Sequence, residues 1–187
     1  MTKACIVWFS AALLALAWAT PLPENSLYHL DSSWRDQNGV VLKLPELRGQ
    51  IRVVALIYTH CKSVCPAILE QMKTTETRLS RSERSRVGFV LITLDPEGDS
   101  REQLHQFGLE RELGDNWRLL RGSSADVREL AAVLDFKYRK NSNQEFSHSA
   151  MITVLDAEGA IAQQQVGLQD GTTTRLAALR RLLGSGS

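Results

Sequence analysis

The sequence predicts an α/β domain, a central mixed sheet flanked by helices, and three observations carry that prediction. Two runs, Ile51 to Tyr58 (IRVVALIY) and Val87 to Leu94 (VGFVLITL), are almost wholly apolar and rich in β-branched residues, as strands covered on both faces must be. Each leads into a helical pattern with its own start signal: Pro66 after the first, and a Ser100/Gln103 capping box after the second. Near the end, two extended runs flank Asp156-Ala157-Glu158-Gly159 as a β-hairpin, and an amphipathic helix follows. Alternating strands and helices, closed by a hairpin and a helix, place helices on both faces of a sheet.

The elements follow in order. Residues 1–19 read MTKACIVWFSAALLALAWA: Lys3 is a short positive start, the run from Ala4 to Ala17 is apolar, and Ala17-Trp18-Ala19 is a small-x-small cleavage site. This predicts a signal peptide cut after Ala19. The alternative is a retained anchor, which needs about 20 apolar residues, whereas this run is shorter and is followed by Pro21 and Pro23. Cys5 lies too close to the start to be a lipidated first mature residue. Residues 20–184 then form one domain. Residues 27–50 are an added lead-in segment with turns at Asn38-Gly39 and Arg48-Gly49. After the Ile51 strand, a helix runs from Pro66 to about Arg81. After the Val87 strand, the Ser100 helix continues to about Leu113. Trp117 to Arg121 is a short strand, and Ser123 or Ser124 starts a helix ending near Phe136. His148 to Leu155 and Ala160 to Val166 form the C-terminal hairpin, and Thr174 to Leu183 the last helix. Residues 185–187 are a flexible Gly/Ser tail.

Composition narrows the function. Of 187 residues, 43% are apolar and the formal net charge is +1, too apolar and too neutral for a disordered chain. Near-neutrality also argues against nucleic acid as a partner, since phosphate binding needs a concentrated basic excess. Arg78 to Arg86 carries four arginines but is broken by Glu83, and reads as a solvated helix end. Three cysteines are too few for a disulfide scaffold. Removing the 19-residue leader leaves 168 residues, no net charge and only two thiols, Cys61 and Cys65. A dithiol between the first buried strand and its helix is the thioredoxin arrangement.

Two cysteines four residues apart on helical backbone would have Cα atoms about 6 Å apart. That spacing allows a disulfide, and equally allows two thiolates to share one metal. The helix N-terminus favours the thiolate, and Lys62 adds charge nearby. Redox exchange and soft-metal binding are both open, while a purely structural disulfide of so short a loop would restrain the unfolded chain little. His29, His60, His105 and His148 lie 31, 45 and 43 positions apart, so no zinc-finger spacing exists. Two thiolates with one imidazole would suit copper and ligand exchange. His148 is the best third ligand: on a strand it shares a face with Phe146, Ala150 and Ile152. A histidine so placed is ordinarily a hydrogen-bonded core residue, and both readings stand on this pattern alone. His60 adjoins Cys61 and would tune the thiol, substitute as a ligand or sit at the surface. His29 and His105 read as surface residues.

Three motifs in order resemble the SCO/SenC family over about residues 27–183. They are Cys61-x-x-x-Cys65-Pro66 after a buried strand, Leu94-Asp95-Pro96-Glu97-x-Asp99 after the next, and Phe146-Ser147-His148-Ser149 before a strand ending Leu155-Asp156-x-x-Gly159. The family's members are thioredoxin-fold proteins of cytochrome c oxidase assembly. The resemblance implies that Cys61, Cys65 and His148 bind one copper ion, as Cu(I) or Cu(II), with Asp95 close by, supporting the site or facing a partner. It implies a metallochaperone more than a turnover enzyme. Its recipient would be the copper A centre of oxidase subunit II or another cuproenzyme, with a periplasmic thiol reductant as second partner. The location implied is the periplasm, or the inner membrane facing it if the leader is retained. The rival reading is a thiol–disulfide oxidoreductase using Cys61 and Cys65 without metal. A peroxiredoxin is disfavoured because Pro-x-x-x-Thr-x-x-Cys is absent. Many family members keep an N-terminal anchor where this leader reads as cleavable, and the loop carries Lys62-Ser63-Val64 behind His60, which bears on affinity and partner choice.

Overall fold

The computed structural model describes residues 21–142 and 146–185; the predicted signal peptide, and the last two residues of the predicted tail, lie outside them. Nine strands and five helices form in this part of the chain. The strands are β1 (Ser33–Asp36), β2 (Val41–Lys43), β3 (Ile51–Ile57), β4 (Val87–Thr93), β5 (Trp117–Arg121), β6 (Tyr138–Lys140), β7 (Phe146–His148), β8 (Met151–Leu155) and β9 (Ile161–Val166). The helices are α1 (Cys65–Thr77), the single turn α2 (Arg81–Arg84), α3 (Arg101–Glu110), α4 (Ser124–Val133) and α5 (Thr172–Ser185). Seven strands make one mixed sheet in the order β2-β1-β5-β4-β3-β8-β9, and β6 and β7 pair separately.

The apolar runs become the middle of that sheet. All seven residues of β3 and all seven of β4 are buried, and the two strands pair in parallel from Ile51↔Val87 to Ile57↔Thr93. β5 extends the parallel pairing, while β8 and β9 close the sheet antiparallel. β3 meets β8 only through Arg52, Val53 and Val54. Beyond Val54, towards the C-terminal end of β3, the register between the two strands lapses. α1 packs on α5, and the two helices cover β3, β8 and β9. Arg175, fully buried on α5, ties these layers by donating to Thr75 Oγ1 on α1 (2.8 Å) and to Gln165 Oε1 on β9 (2.5 Å). Elsewhere Phe89 stacks on Trp117 at 4.7 Å, and the indole N–H of Trp117 donates to Glu76 (2.8 Å).

Several boundaries depart from the sequence reading. The lead-in segment is a β-hairpin, β1–β2, added to β5. Asp36 is buried at the end of β1 and accepts from Asn38 N and Val40 N, folding the turn in which Gly39 takes φ +90°. The first helix stops at Thr77 rather than near Arg81. Ser80 starts a new turn there, its hydroxyl accepting from Glu83 N while Glu83 accepts from Ser80 N. The Ser100 cap forms as read with Gln103, and Ser123 rather than Ser124 caps the next helix, with Asp126 as its reciprocal partner. The C-terminal hairpin strand begins at Met151, not His148, because Phe146–His148 pairs with β6 instead. Gly159, in the hairpin turn, has φ +81°, and a Cβ there would lie 2.5 Å from the Tyr28 ring, so this turn requires glycine.

Candidate metal centre

The site sits where β3 and β4 end. Leu94 N–H donates to Ile57 O (2.7 Å), holding the two strand ends together as their chains diverge. Asp99, 1% exposed, lies beneath the loop that follows β3. Its Oδ2 accepts from Thr59 N (3.0 Å) and Thr93 Oγ1 (2.5 Å), and its Oδ1 accepts from the Thr59 hydroxyl. The Thr59 oxygen in turn accepts from His60 Nδ1 at 3.0 Å. His60 is thereby held on the solvent side, 70% exposed, outside the cluster that follows. A turn closed by Cys61 N→Tyr58 O (3.2 Å) sets Cys61 in the loop.

Only Cys65 is helical, as the first residue of α1, so the premise that both cysteines lie on helical backbone is corrected. Pro66 behind it has no N–H to leave unpaired. The Cys65 N–H points back at Cys61 Sγ (3.4 Å). A helix-terminal amide therefore stabilises the Cys61 sulfur, as its expected position at a helix N-terminus implied.

The third group arrives from another part of the chain. β7 pairs with β6 in the register Tyr138↔His148 and Lys140↔Phe146, and Ser149 N donates to Lys137 O. This hairpin carries the His148 ring between Phe136, stacked at 5.8 Å, and Tyr58, edge-on at 6.0 Å. His148 Nδ1 lies 2.9 Å from Ser149 O. A carbonyl can only accept, so Nδ1 carries the proton and Nε2 presents a lone pair. That Nε2 lies 3.4 Å from Cys65 Sγ and 3.9 Å from Cys61 Sγ. The three ligand-type atoms all fall within 4.8 Å of one another, and neither thiol is in a disulfide. Among the described residues this is the one such cluster of three.

The two thiols are not equivalent. Burial opposes ionisation of Cys61. Hydrogen bonds from the Cys65 side chain, and from the Cys65 and Ser63 backbone, nevertheless bring its pKa down from 9.0 to about 6. Cys65 moves the other way: burial raises it, and the charge that develops on Cys61 and on Asp99 adds to the rise. The first ionisation therefore belongs to Cys61. Two sulfur donors and one neutral imidazole form a soft donor set, suited to copper and with fewer ligands than a closed zinc site.

Of the residues singled out in the sequence, the structure brings Cys61, Cys65 and His148 together. It leaves His29 and His105 exposed and unconnected with them. Asp95 accepts from Lys140 Nζ (3.3 Å), so it reaches the site only through the hairpin that carries His148. The carboxylate behind the thiol loop is instead Asp99, the last residue of the same motif. Of the aromatic seat of Tyr58, Phe136 and Phe146, only Phe146 was placed beside His148 from the sequence; the signal for the other two was aromatic residues at the ends of predicted elements.

Residues 24–184 match the SCO1/SenC family profile. The chain belongs to the SCO1/SenC family. This SCO1/SenC chain is 25% identical over 142 residues to the SCO1 protein homolog of Bacillus subtilis, covering 74% of this chain and 73% of that protein. Its fold is that of a SCO1/SenC family lipoprotein of Bacillus anthracis, with a TM-score of 0.74 at 23% identity over 81% of this chain and 92% of that one. It is also that of Bradyrhizobium japonicum ScoI with copper bound, with a TM-score of 0.69 at 21% identity over 81% and 96%. The thioredoxin-like fold class follows from these likenesses.

Proposed function

We propose that this SCO1/SenC protein is an exported copper-binding metallochaperone that takes copper as its cargo on Cys61, Cys65 and His148. The observation that carries this reading is the convergence of two free thiols and one imidazole lone pair within 4.8 Å. Its chemistry is soft and its ligand number low, so a partner's thiols can enter as the protein's own ligands leave. Cys61, ionised near neutrality, is the first ligand available. Ser149 O keeps His148 Nε2 unprotonated, and Asp99 holds the Cys61 loop in place through Thr59. The recipient we infer is the copper A centre of cytochrome c oxidase subunit II, in keeping with the motifs that identify the family. Copper analysis of the reduced chain tests the site: wild type should retain one copper and His148→Ala should lose it on dialysis. Equal retention would remove His148 from the ligand set. Transfer to an apo copper A domain tests the recipient.

The unequal thiols favour a second reading, a thiol–disulfide oxidoreductase. The Cys61 thiolate would attack a partner disulfide, forming a mixed disulfide and expelling one partner thiolate. Cys65, deprotonated in turn, would attack Cys61 sulfur, releasing the partner's second thiol and leaving a Cys61–Cys65 disulfide that a thiol reductant must reset. Efficient disulfide reduction without copper retention would select this reading.

A further inference from the structure

The arginines of residues 78–86 do not stand alone in the fold. α5 brings Arg180 and Arg181 beside them: Arg180 donates to Glu83 Oε1 (3.2 Å) and to Arg78 O (3.5 Å), and Arg86 donates to Leu183 O (3.0 Å). Arg78, Arg81, Arg84, Arg86, Arg180 and Arg181 are all exposed. The acids nearby are largely engaged. Glu83 pairs with Arg180, Asp170 caps Thr172 and lies within electrostatic reach of Arg78, Glu158 pairs with Arg48, and Asp156 accepts from Glu158 N and Ala160 N. No large exposed apolar residue lies on α2 or α5, whose open positions between the arginines are mostly serine, threonine and alanine.

This face has a defined place in the molecule. Ile51 N, at the start of β3, donates to Arg86 O, and Gly49 N to Ala157 O. The arginines thus crown the N-terminal ends of the central strands, with Cys61 and Cys65 past the C-terminal end of β3, roughly 20 Å away at the strand rise. Ser26 and Leu27 pair at this end as well: Ser26 Oγ donates to Glu158 O (2.5 Å) and Leu27 N to Gly159 O (2.9 Å), with Ser26 nine residues past the end of the apolar run of residues 4–17.

We propose that this arginine face rests on anionic phospholipid headgroups, holding the Cys61–Cys65–His148 centre pointed away from the bilayer. Guanidinium groups match phosphate oxygens in fork geometry, and a cluster of this size is what an anionic membrane surface attracts. The face carries neither the aromatic anchors of a protein interface nor the stacking rings of a nucleic-acid groove. The inference stands whichever use the thiols have.

Flotation of the full chain with vesicles tests it, because the apolar leader contributes equally to every variant compared. Wild type should partition about tenfold more onto phosphatidylglycerol/phosphatidylcholine vesicles than onto phosphatidylcholine alone, and high salt should erase the difference. The triple change Arg81→Gln/Arg84→Gln/Arg181→Gln should abolish the preference. The corresponding Arg→Lys triple should keep it, as should Arg101→Gln/Arg111→Gln/Arg128→Gln. Circular dichroism confirms that each variant is folded. On vesicles, Cys61 should react with a membrane-impermeant maleimide as fast as in solution. Equal partition onto both vesicle types, equal loss in the two Gln triples, or protection of Cys61 would overturn the proposal. Retention on immobilised polyglutamate without a vesicle preference would overturn it too, assigning the face to an acidic protein.

Discussion

At the scale of single residues, the site depends on which atom holds which proton. His148 offers Nε2 because Ser149 O occupies Nδ1. Its replacement by alanine should lower copper affinity at least tenfold, read by competition with a chelator, and should leave both thiols titratable. Cys61 titrates at about 6, so its alkylation should speed up about tenfold between about pH 5 and pH 7 and level off above. An unperturbed thiol would continue to gain up to pH 9; a rate still climbing steeply at pH 8 would contradict the assignment. Asp99 bears on stability more than on chemistry. Asp99→Ala strands Thr59 N–H and the Thr59 and Thr93 hydroxyls, and should cost about 2–4 kcal/mol in denaturant unfolding. Cys61 and Cys65 were legible as chemistry because they are the two thiols left once the leader is removed, whereas His148, one of four histidines, was assigned as a ligand only through the family motif. Asp99 was legible only as part of a motif: its burial beneath Thr59 depends on two strands ending side by side, which no local pattern encodes.

At the scale of elements, the strands buried on both sides were plain in the sequence, since eleven apolar residues among the fourteen of β3 and β4 admit little else. The Ser100/Gln103 capping box marked one helix start to the residue, whereas the next was left between Ser123 and Ser124 and the Ser80/Glu83 box was missed. The short strands were not legible. β1 and β2 expose every other residue and are held by the Asp36 turn and by β5. β6 and β7 have three residues each and exist through pairing with one another. That small hairpin is what delivers His148. Lys140 pins it from outside, pairing with Asp95 at 3.3 Å and lying 5.2 Å from the Phe146 ring centre. Lys140→Ala should therefore weaken copper binding several-fold while changing stability by under about 1 kcal/mol, as befits a part-exposed ion pair. A calorimetric titration alongside thermal unfolding separates the two effects.

At the scale of the molecule, the ligands come from two separately paired units. Cys61 stands in the loop that follows the buried strand β3 and Cys65 at the start of α1, whereas His148 stands on a two-stranded flap with its own aromatic packing. Copper joins them, so loading should raise the melting temperature by about 10 °C at metal concentrations near a thousand times Kd. The same loading should slow hydrogen exchange in β6 and β7 more than in β4. A uniform slowing would mean that the flap is already as rigid as the sheet. The lapse of register between β3 and β8 past Val54 gives this division a further meaning. Where two neighbouring strands part, a sheet has a cleft that no backbone hydrogen bond must cross, and a side chain can enter it without breaking a ladder. The hairpin of β6 and β7, paired only with one another, can then vary without disturbing strand pairing in the main sheet. Over evolutionary time, such a chain can retune what its thiols hold by trading one short insert for another.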